Sequence, residues 1–185
     1  MADSADRPLA GMRALVVGIA NEHSIAYGCA RAFHRQGAEL AITYLNDKAR
    51  PHVEPLAKEL GAPIFLPLNV QQEGQLEAVF EAIRQTWGRL DIALHAIAFA
   101  PRADLHGGLL DCSLEGFLTA ADVSCHSFLR MARLAVPLMT AGGTLLTLTF
   151  QGSERVLPRY NLMGPIKAAL EASVRYLAYE LGPRH

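Results

Sequence analysis

Apolar residues along the chain fall into short continuous runs that alternate with stretches of helical spacing. Ala14, Leu15, Val16 and Val17 form an uncharged run, the composition of a strand buried on both faces of a parallel sheet, and Gly18 ends it. Beyond Ala20-Asn21-Glu22-His23, Ser24 is placed to cap a helix by accepting from the amide two or three residues on. Ile25, Cys29 and Phe33 then keep helical spacing. Gly37 predicts a helix stop, and 39–44 reads as a second strand ending in Leu45-Asn46-Asp47. Pro51 opens a helix to Leu60 that Gly61 closes. A third strand is expected over 64–70. The stripe Leu76, Val79, Phe80 and Ile83 predicts a helix over 75–87, and a fourth strand follows over 91–98. Residues 101–113 read as a loop and 114–139 as one long helix with Pro137 near its end. A fifth strand is expected over 144–150, a loop over 151–159 and a last helix over 161–181.

Strand and helix alternate without a break, so the expected fold is α/β: a doubly wound, Rossmann-like parallel sheet with strand order 3-2-1-4-5. Its ligand crevice lies above the carboxyl ends of strands one and four, where the loops 18–24, 45–47, 69–70 and 96–101 converge. A strand end followed by a helix N-terminus suits a phosphate, because unpaired amides and the positive end of the helix dipole meet there. Gly18 is expected to let the turn close and Gly28 to let the helix sit tight on the sheet. The loop does not match G-x-G-x-x-G, since only Gly18 and Gly28 are present.

Composition narrows the ligand class. The 185 residues fit one domain, 1–185, and 51% apolar with 19% charged residues describes a soluble globular chain. The net charge is −1 and Lys and Arg are dispersed, which points away from nucleic acid and anionic membranes and leaves a small molecule as the ligand. Cys29, Cys112 and Cys125 are odd in number and far apart, so reduced thiols in a cytoplasmic protein are expected. The first eight residues are polar and acidic, unlike a signal or transit peptide, and no apolar run is long enough to span a bilayer. The seven histidines lack ligand spacing, so no metal is expected.

Tyr160 and Lys167 are seven apart, or two helical turns, which puts them on one face of the last helix with Met163 and Gly164 between them. A phenol and an ammonium on one face make an acid site. The lysine charge is expected to favour the phenolate and make the tyrosine a better proton donor near neutral pH. Gly164 is expected to clear space for a cofactor.

Four stretches carry a resemblance: Gly18-Ile-Ala-Asn-x-x-Ser-Ile-Ala-Tyr-Gly28, His95-Ala-Ile-Ala-Phe-Ala-Pro101, Leu145-Leu-Thr-Leu-Thr149 and Glu154-Arg-x-x-Pro-x-Tyr-Asn-x-Met-Gly-x-x-Lys167. Together they resemble the NADH-dependent enoyl-acyl-carrier-protein reductases of bacterial fatty-acid synthesis, a divergent branch of the short-chain dehydrogenases. Tyr-x6-Lys in place of the usual Tyr-x3-Lys makes the likeness specific. The resemblance implies that Gly18, Ala20, Ser24 and Ile25 hold the pyrophosphate. Leu45 lies near the adenosine ribose, Asn69 and Val70 border the adenine, and Ala96, Ile97 and Ala98 back the nicotinamide. It further implies that Ala100, Leu105, Phe150 and Met163 line the acyl substrate, that Lys167 binds the nicotinamide ribose, and that Tyr160 faces the thioester carbonyl. By the same likeness NADH delivers hydride to the β-carbon of a trans-2-enoyl thioester carried on acyl carrier protein. Tyr160 stabilises the enolate oxygen while Lys167 orients the cofactor.

Phe150 stands where the family usually has a second tyrosine, and Asn69 replaces a common aspartate, whose role an amide oxygen can share. The family continues past Gly182-Pro183 with a sixth strand, a substrate-covering segment and a seventh strand. These last two strands are absent from the 185 residues, so the domain is expected to be C-terminally incomplete. NADH is favoured over NADPH, because Leu45-Asn46-Asp47 follows strand two rather than an Arg-Lys pair, although Lys48 and Arg50 are near. A homodimer or homotetramer is expected through the helices 114–139 and 161–181, the family's pairing helices. Two other readings stay open: a short-chain reductase of a ketone, and a non-catalytic dinucleotide-binding remnant.

Overall fold

The computed structural model of the chain describes residues 7–184. The polar, acidic start of the chain up to Asp6, and His185, lie outside the described residues. The chain forms two compact units. The first takes the chain up to Ala96 together with Ala132–Thr147; the second takes Ile97–Met131 and the chain from Leu148 onward.

The first unit is a five-stranded parallel sheet of β1 (Arg13–Val17), β2 (Glu39–Tyr44), β3 (Ile64–Pro67), β4 (Ile92–His95) and β5 (Thr144–Thr147), in the order β3-β2-β1-β4-β5. This is the order expected from the alternating pattern. The central strands have almost no exposed surface, as sequences apolar on both faces require. Helices α1 (Ile25–Arg35), α2 (Arg50–Glu59) and α3 (Gln75–Trp87) connect the first four strands. Gly37, Gly61 and Gly88 follow these helices with positive φ, the left-handed turn that glycine adopts without a Cβ clash. α1 buries Ala26, Tyr27 and Ala30, whereas Ile25 is 69% exposed, so the apolar face differs from the Ile25-Cys29-Phe33 stripe. Gly28 is exposed and a Cβ on it would meet nothing within 4 Å. It does not seat the helix on the sheet.

Strands three, four and five are shorter than their apolar runs. After Pro67 the Leu68 amide still reaches the Tyr44 carbonyl at 2.8 Å, but β2 ends there and the Asn69 amide turns to Gln75 Oε1 at 2.7 Å. β4 runs out when the Ala96 amide makes its bond to the Val17 carbonyl at 2.9 Å, at the last residue of β1. Past β3, Leu68 and Val70 stay buried, whereas past β4 and β5 the runs Ala96-Ile97-Ala98 and Leu148-Thr149-Phe150 come out to half-buried and exposed positions.

The second unit is helical. α4 (Arg102–His106) and a 3₁₀ turn (Leu109–Asp111) occupy the segment expected to be a loop. Pro101 starts the short helix and the density of Pro and Gly around it hides it from pattern reading. The long helix is present but divided into α5 (Leu114–Ala121), a π-helical segment (Asp122–His126) and α6 (Ser127–Ala135), whose last turn from Ala132, with the 3₁₀ turn after it (Val136–Leu138), belongs to the first unit. The π-helical segment carries Ser124, and the Ser127 hydroxyl just beyond it donates to the Val123 carbonyl at 2.6 Å. α7 (Met163–Leu181) closes the unit, with Pro165 in its first turn, where a missing N–H costs no helix bond. Among the described residues no helix is long and apolar enough to cross a membrane.

Candidate active site

In the first unit the expected phosphate loop leaves the carboxyl end of β1. Gly18 has φ +107°, and a Cβ there would lie 2.2 Å from the Ala96 carbonyl oxygen, so the ends of β1 and β4 approach as only glycine permits. Ser24 sits at the cap position of α1, but its side chain does not bond forward into the helix. Its Oγ accepts from the amides of Ala20 and Asn21, each at 3.0 Å, and Asn21 Oδ1 accepts from the His23 amide at 2.9 Å. The hydroxyl therefore closes the loop instead of capping the helix. Amides Tyr27 and Gly28 bond to the Ser24 carbonyl at 3.0 and 3.1 Å, which leaves those of Ile25 and Ala26 without an acceptor among the described residues. Two free amides at the positive end of an eleven-residue helix fit a pyrophosphate.

The neighbouring strand ends carry the other expected cofactor contacts. Leu45 is 54% exposed past β2. Asn46 Oδ1 accepts from the Lys48 and Ala49 amides at 3.1 and 3.0 Å, while Arg50 lies over the Tyr44 ring at 5.9 Å and bonds Glu54 at 3.2 Å. Asn69 Oδ1 accepts from the Gln71 amide at 3.0 Å, and Val70 is buried. The asparagine oxygen thus shapes its own turn as an aspartate would, with a second lone pair to offer. His95, which pattern reading passed over, is buried at the end of β4 with Nδ1 3.2 Å from Thr147 Oγ1.

In the second unit Ile97 is half-buried and Ala98 exposed. The next residue is held by buried Ser124, whose Oγ accepts from the Phe99 amide at 2.9 Å and donates to the Phe99 carbonyl at 3.0 Å. Ser124 is a positioning residue missed in the sequence, where a serine inside a long helix gives no signal. Ala100, Leu105 and Tyr160, all expected at the substrate, pack on one apolar cluster with Ala120, Leu162, Met163 and Ile166. Met163 itself is buried in that cluster. Phe150 is 50% exposed, and its ring meets Tyr160 edge-on with centroids 4.9 Å apart.

Tyr160 precedes α7 and is not on a helical face with Lys167. Arg159, at φ +66°, and Pro158 break the helix upstream, and the Met163 amide closes a turn on the Tyr160 carbonyl at 2.9 Å. The room around Gly164 belongs to the Gly152 carbonyl, 3.0 Å from where a Cβ would stand, and Gly152 in turn lies against the Tyr160 ring. Lys167 is 5% exposed and its Nζ donates to the Leu148 carbonyl at 2.7 Å. Burial pushes its pKa below the ordinary lysine value, against a smaller opposing pull from Cys125 and Glu171. Burial also pushes the Tyr160 phenol up. The expected stabilisation of a phenolate by the lysine charge is therefore not found, and Tyr160 is a neutral donor at neutral pH. Glu171, one turn beyond Lys167, accepts from the Ser153 and Thr149 hydroxyls, each at 2.5 Å, and these bonds lower its pKa. No group of three His, Cys, Asp or Glu among the described residues could hold a metal.

Comparison with known proteins bears on the family and the fold. Residues 18–185 match the family described as enoyl-(acyl carrier protein) reductase. The chain is 49% identical over 180 residues to the NADH enoyl-[acyl-carrier-protein] reductase of Nostoc sp., covering 96% of this chain and 70% of that one. It is 48% identical over 174 residues to a Rhizobium meliloti relative of the same description, covering 94% and 65%. The chain thus spans about two thirds of the length of these curated relatives. The Anaplasma phagocytophilum reductase, solved with NAD, superposes with TM-score 0.92 at 44% identity over 95% of this chain and 67% of that one. The Bacillus cereus reductase, solved with NADP+ and an indole naphthyridinone, gives 0.91 at 45% over 95% and 69%. Sheet order, overall fold and sequence point the same way: the chain belongs to the enoyl-(acyl carrier protein) reductase family.

Proposed function

We propose that the chain reduces the trans-2 double bond of an enoyl thioester carried on acyl carrier protein, in cytoplasmic fatty-acid synthesis, with NADH as reductant. One observation carries this reading: a neutral phenol, Tyr160, packs on the apolar cluster that also takes Ala100 and Leu105. A greasy wall with one hydrogen-bond donor suits an acyl chain ending in a carbonyl. The hydride for the β-carbon is the chemistry that bound NADH supplies. Tyr160 donates to the thioester oxygen as charge develops there, and Phe150 supports its ring and lines the acyl pocket with Met163. Lys167 uses one of its three donors on Leu148, which leaves two for the hydroxyls of the nicotinamide ribose.

Gly18, Ala20, Ser24 and Ile25 hold the pyrophosphate through the loop amides, Leu45 borders the ribose, Asn69 and Val70 the adenine, and Ala96, Ile97 and Ala98 the nicotinamide. Arg50 is engaged by Glu54 and Tyr44, which removes one cation from a 2′-phosphate and favours NADH over NADPH. Fluorescence titration of both cofactors checks this, and tighter NADPH binding overturns it. A homodimer or homotetramer through α5, α6 and α7 is part of the proposal; Leu114, Leu118 and Tyr179 on these helices are exposed. A monomeric light-scattering mass at micromolar concentration counts against it.

The deciding experiment is steady-state reduction of crotonyl thioester by NADH. Tyr160→Phe should lower kcat on the order of a hundredfold with NADH affinity nearly unchanged, because the hydroxyl acts on developing charge. Lys167→Ala should weaken NADH binding and rate together. Phe150→Tyr should keep or raise activity. A chain that binds NADH but reduces no enoyl thioester, with Tyr160→Phe behaving like the parent, is a non-catalytic dinucleotide-binding protein.

A further inference from the structure

Arg102, His106 and Arg159, with Ala103, line a cavity of about 670 Å³ in the second unit. Arg102 and His106 are exposed on α4, the helix that turns Leu105 into the cluster containing Tyr160, and Arg159 is the residue before Tyr160. The cavity therefore opens among the neighbours of the proposed thioester site. Among the described residues neither Arg102 nor Arg159 has an ion pair, so both guanidinium groups are open to an anion. The acidic residue of α4, Asp104, is an anion whose Oδ1 accepts from the Ser113 amide at 2.7 Å; it is buried and is not among the residues that line the cavity.

Arg159 adds a second, independent observation. Among the described residues it is the non-glycine residue with positive φ, +66°, a backbone conformation that a Cβ disfavours. Nothing in its own contacts requires an arginine there: its side chain is exposed and has no hydrogen bond among the described residues. Glycine or asparagine would take the same backbone more easily. A long cation kept on a disfavoured backbone beside two more nitrogen-bearing side chains is the arrangement of an anion site, and guanidinium forks match phosphate oxygens two at a time.

We propose that Arg102, His106 and Arg159 bind the phosphate ester of the pantetheine arm through which the enoyl thioester is presented. This rests on the reading of the chain as a thioester reductase and deepens it by naming the part of the substrate gripped outside the acyl pocket. The phosphodiester of a carrier-bound arm and the phosphates of coenzyme A share this chemistry.

Two measurements separate the proposal from the reading beneath it. In the first, calorimetric titration compares 4′-phosphopantetheine with pantetheine on the parent and on the double variant Arg102→Ser, Arg159→Gly. Glycine relieves the backbone at 159, so the variant should melt no lower than the parent. The parent should bind the phosphorylated arm about tenfold more tightly than pantetheine, and the variant should lose that preference. Equal binding of the two arms by the parent overturns the proposal, whether or not the chain is a reductase. In the second, crotonyl thioesters of acyl carrier protein, coenzyme A and N-acetylcysteamine serve as substrates. The variant should raise KM about tenfold for the phosphate-bearing thioesters and leave the phosphate-free one within twofold. A rise on the carrier thioester assigns the site to the carrier-bound arm, and a rise confined to the coenzyme A thioester assigns it to that molecule's phosphates. An equal rise on all three overturns the proposal. If no thioester is reduced but the arm preference is present in the parent and lost in the variant, the phosphate site stands and the reductase reading falls.

Discussion

Lys167 Nζ donates to the main-chain carbonyl of Leu148 at 2.7 Å, so an ammonium with 5% of its surface exposed is tied to the first residue after β5. A neutral acceptor satisfies one donor without cancelling the charge, and burial accordingly depresses the lysine pKa.

The linkage sign follows. The folded-state pKa lies below the unfolded value of about 10.4, so between the two the unfolded chain binds more protons and stability rises with pH. Lys167→Met keeps the aliphatic stem and removes this dependence. Denaturant melts in steps up to about pH 10 should show the parent gaining stability relative to Lys167→Met as pH rises towards the free lysine value. A constant difference between the two proteins would mean that the lysine is not desolvated.

Gly18 and Gly28 bracket the same loop and should respond in opposite ways to the same change. At Gly18, φ +107° and an Ala96 oxygen 2.2 Å from the would-be Cβ make Gly18→Ala a strained, clashing substitution, expected to cost about 2 to 4 kcal/mol and to abolish NADH binding. At Gly28, exposed within α1 and with no neighbour within 4 Å, Gly28→Ala should stabilise by about 0.5 to 1 kcal/mol. Urea melts of the two variants check both signs.

These glycines also mark what the sequence made legible. The strand order follows from buried apolar runs alternating with helical stripes, which is why β1, β2 and α3 lie where periodicity puts them. The end of each run was harder to read, because Asn69 leaves the ladder for Gln75 through a side-chain bond that no periodicity encodes. Ser24 was legible as a polar residue at a helix start, but a hydroxyl bonds forward or backward with equal ease, and here it turns back to Ala20 and Asn21. Tyr160 and Lys167 were found by spacing, yet the helix that the spacing assumed begins only at Met163, and the relation between them runs through the segment after β5. Ala100, Leu105 and Tyr160 lie far apart in the chain and gather on one cluster, a tertiary fact supplied to the sequence only by family resemblance.

That segment after β5 is fastened by Glu171. Leu148 holds Lys167, Phe150 meets the Tyr160 ring and Gly152 lies beneath it, while Thr149 and Ser153, interleaved with them, both donate to the Glu171 carboxylate. One carboxylate thus fixes a stretch that touches both proposed catalytic residues. Its pKa is lowered chiefly by the Ser153 and Thr149 hydroxyls, so the stabilisation is fully present above the unfolded glutamate value of about 4.3 and is lost as pH falls through the lower folded value. Glu171→Ala should cost about 1 kcal/mol near pH 7, since the site is half-exposed, and the parent should lose that advantage as pH falls below the free glutamate value. Glu171→Gln keeps an acceptor for one or both hydroxyls and should recover much of the loss while abolishing the pH dependence. On activity, Glu171→Ala should lower kcat for the enoyl thioester more than it raises KM, and Glu171→Gln should restore it, because the carboxylate aligns Tyr160 and Lys167 without touching substrate. If Ala and Gln variants lose stability equally at every pH, Glu171 is a surface carboxylate without a positioning role.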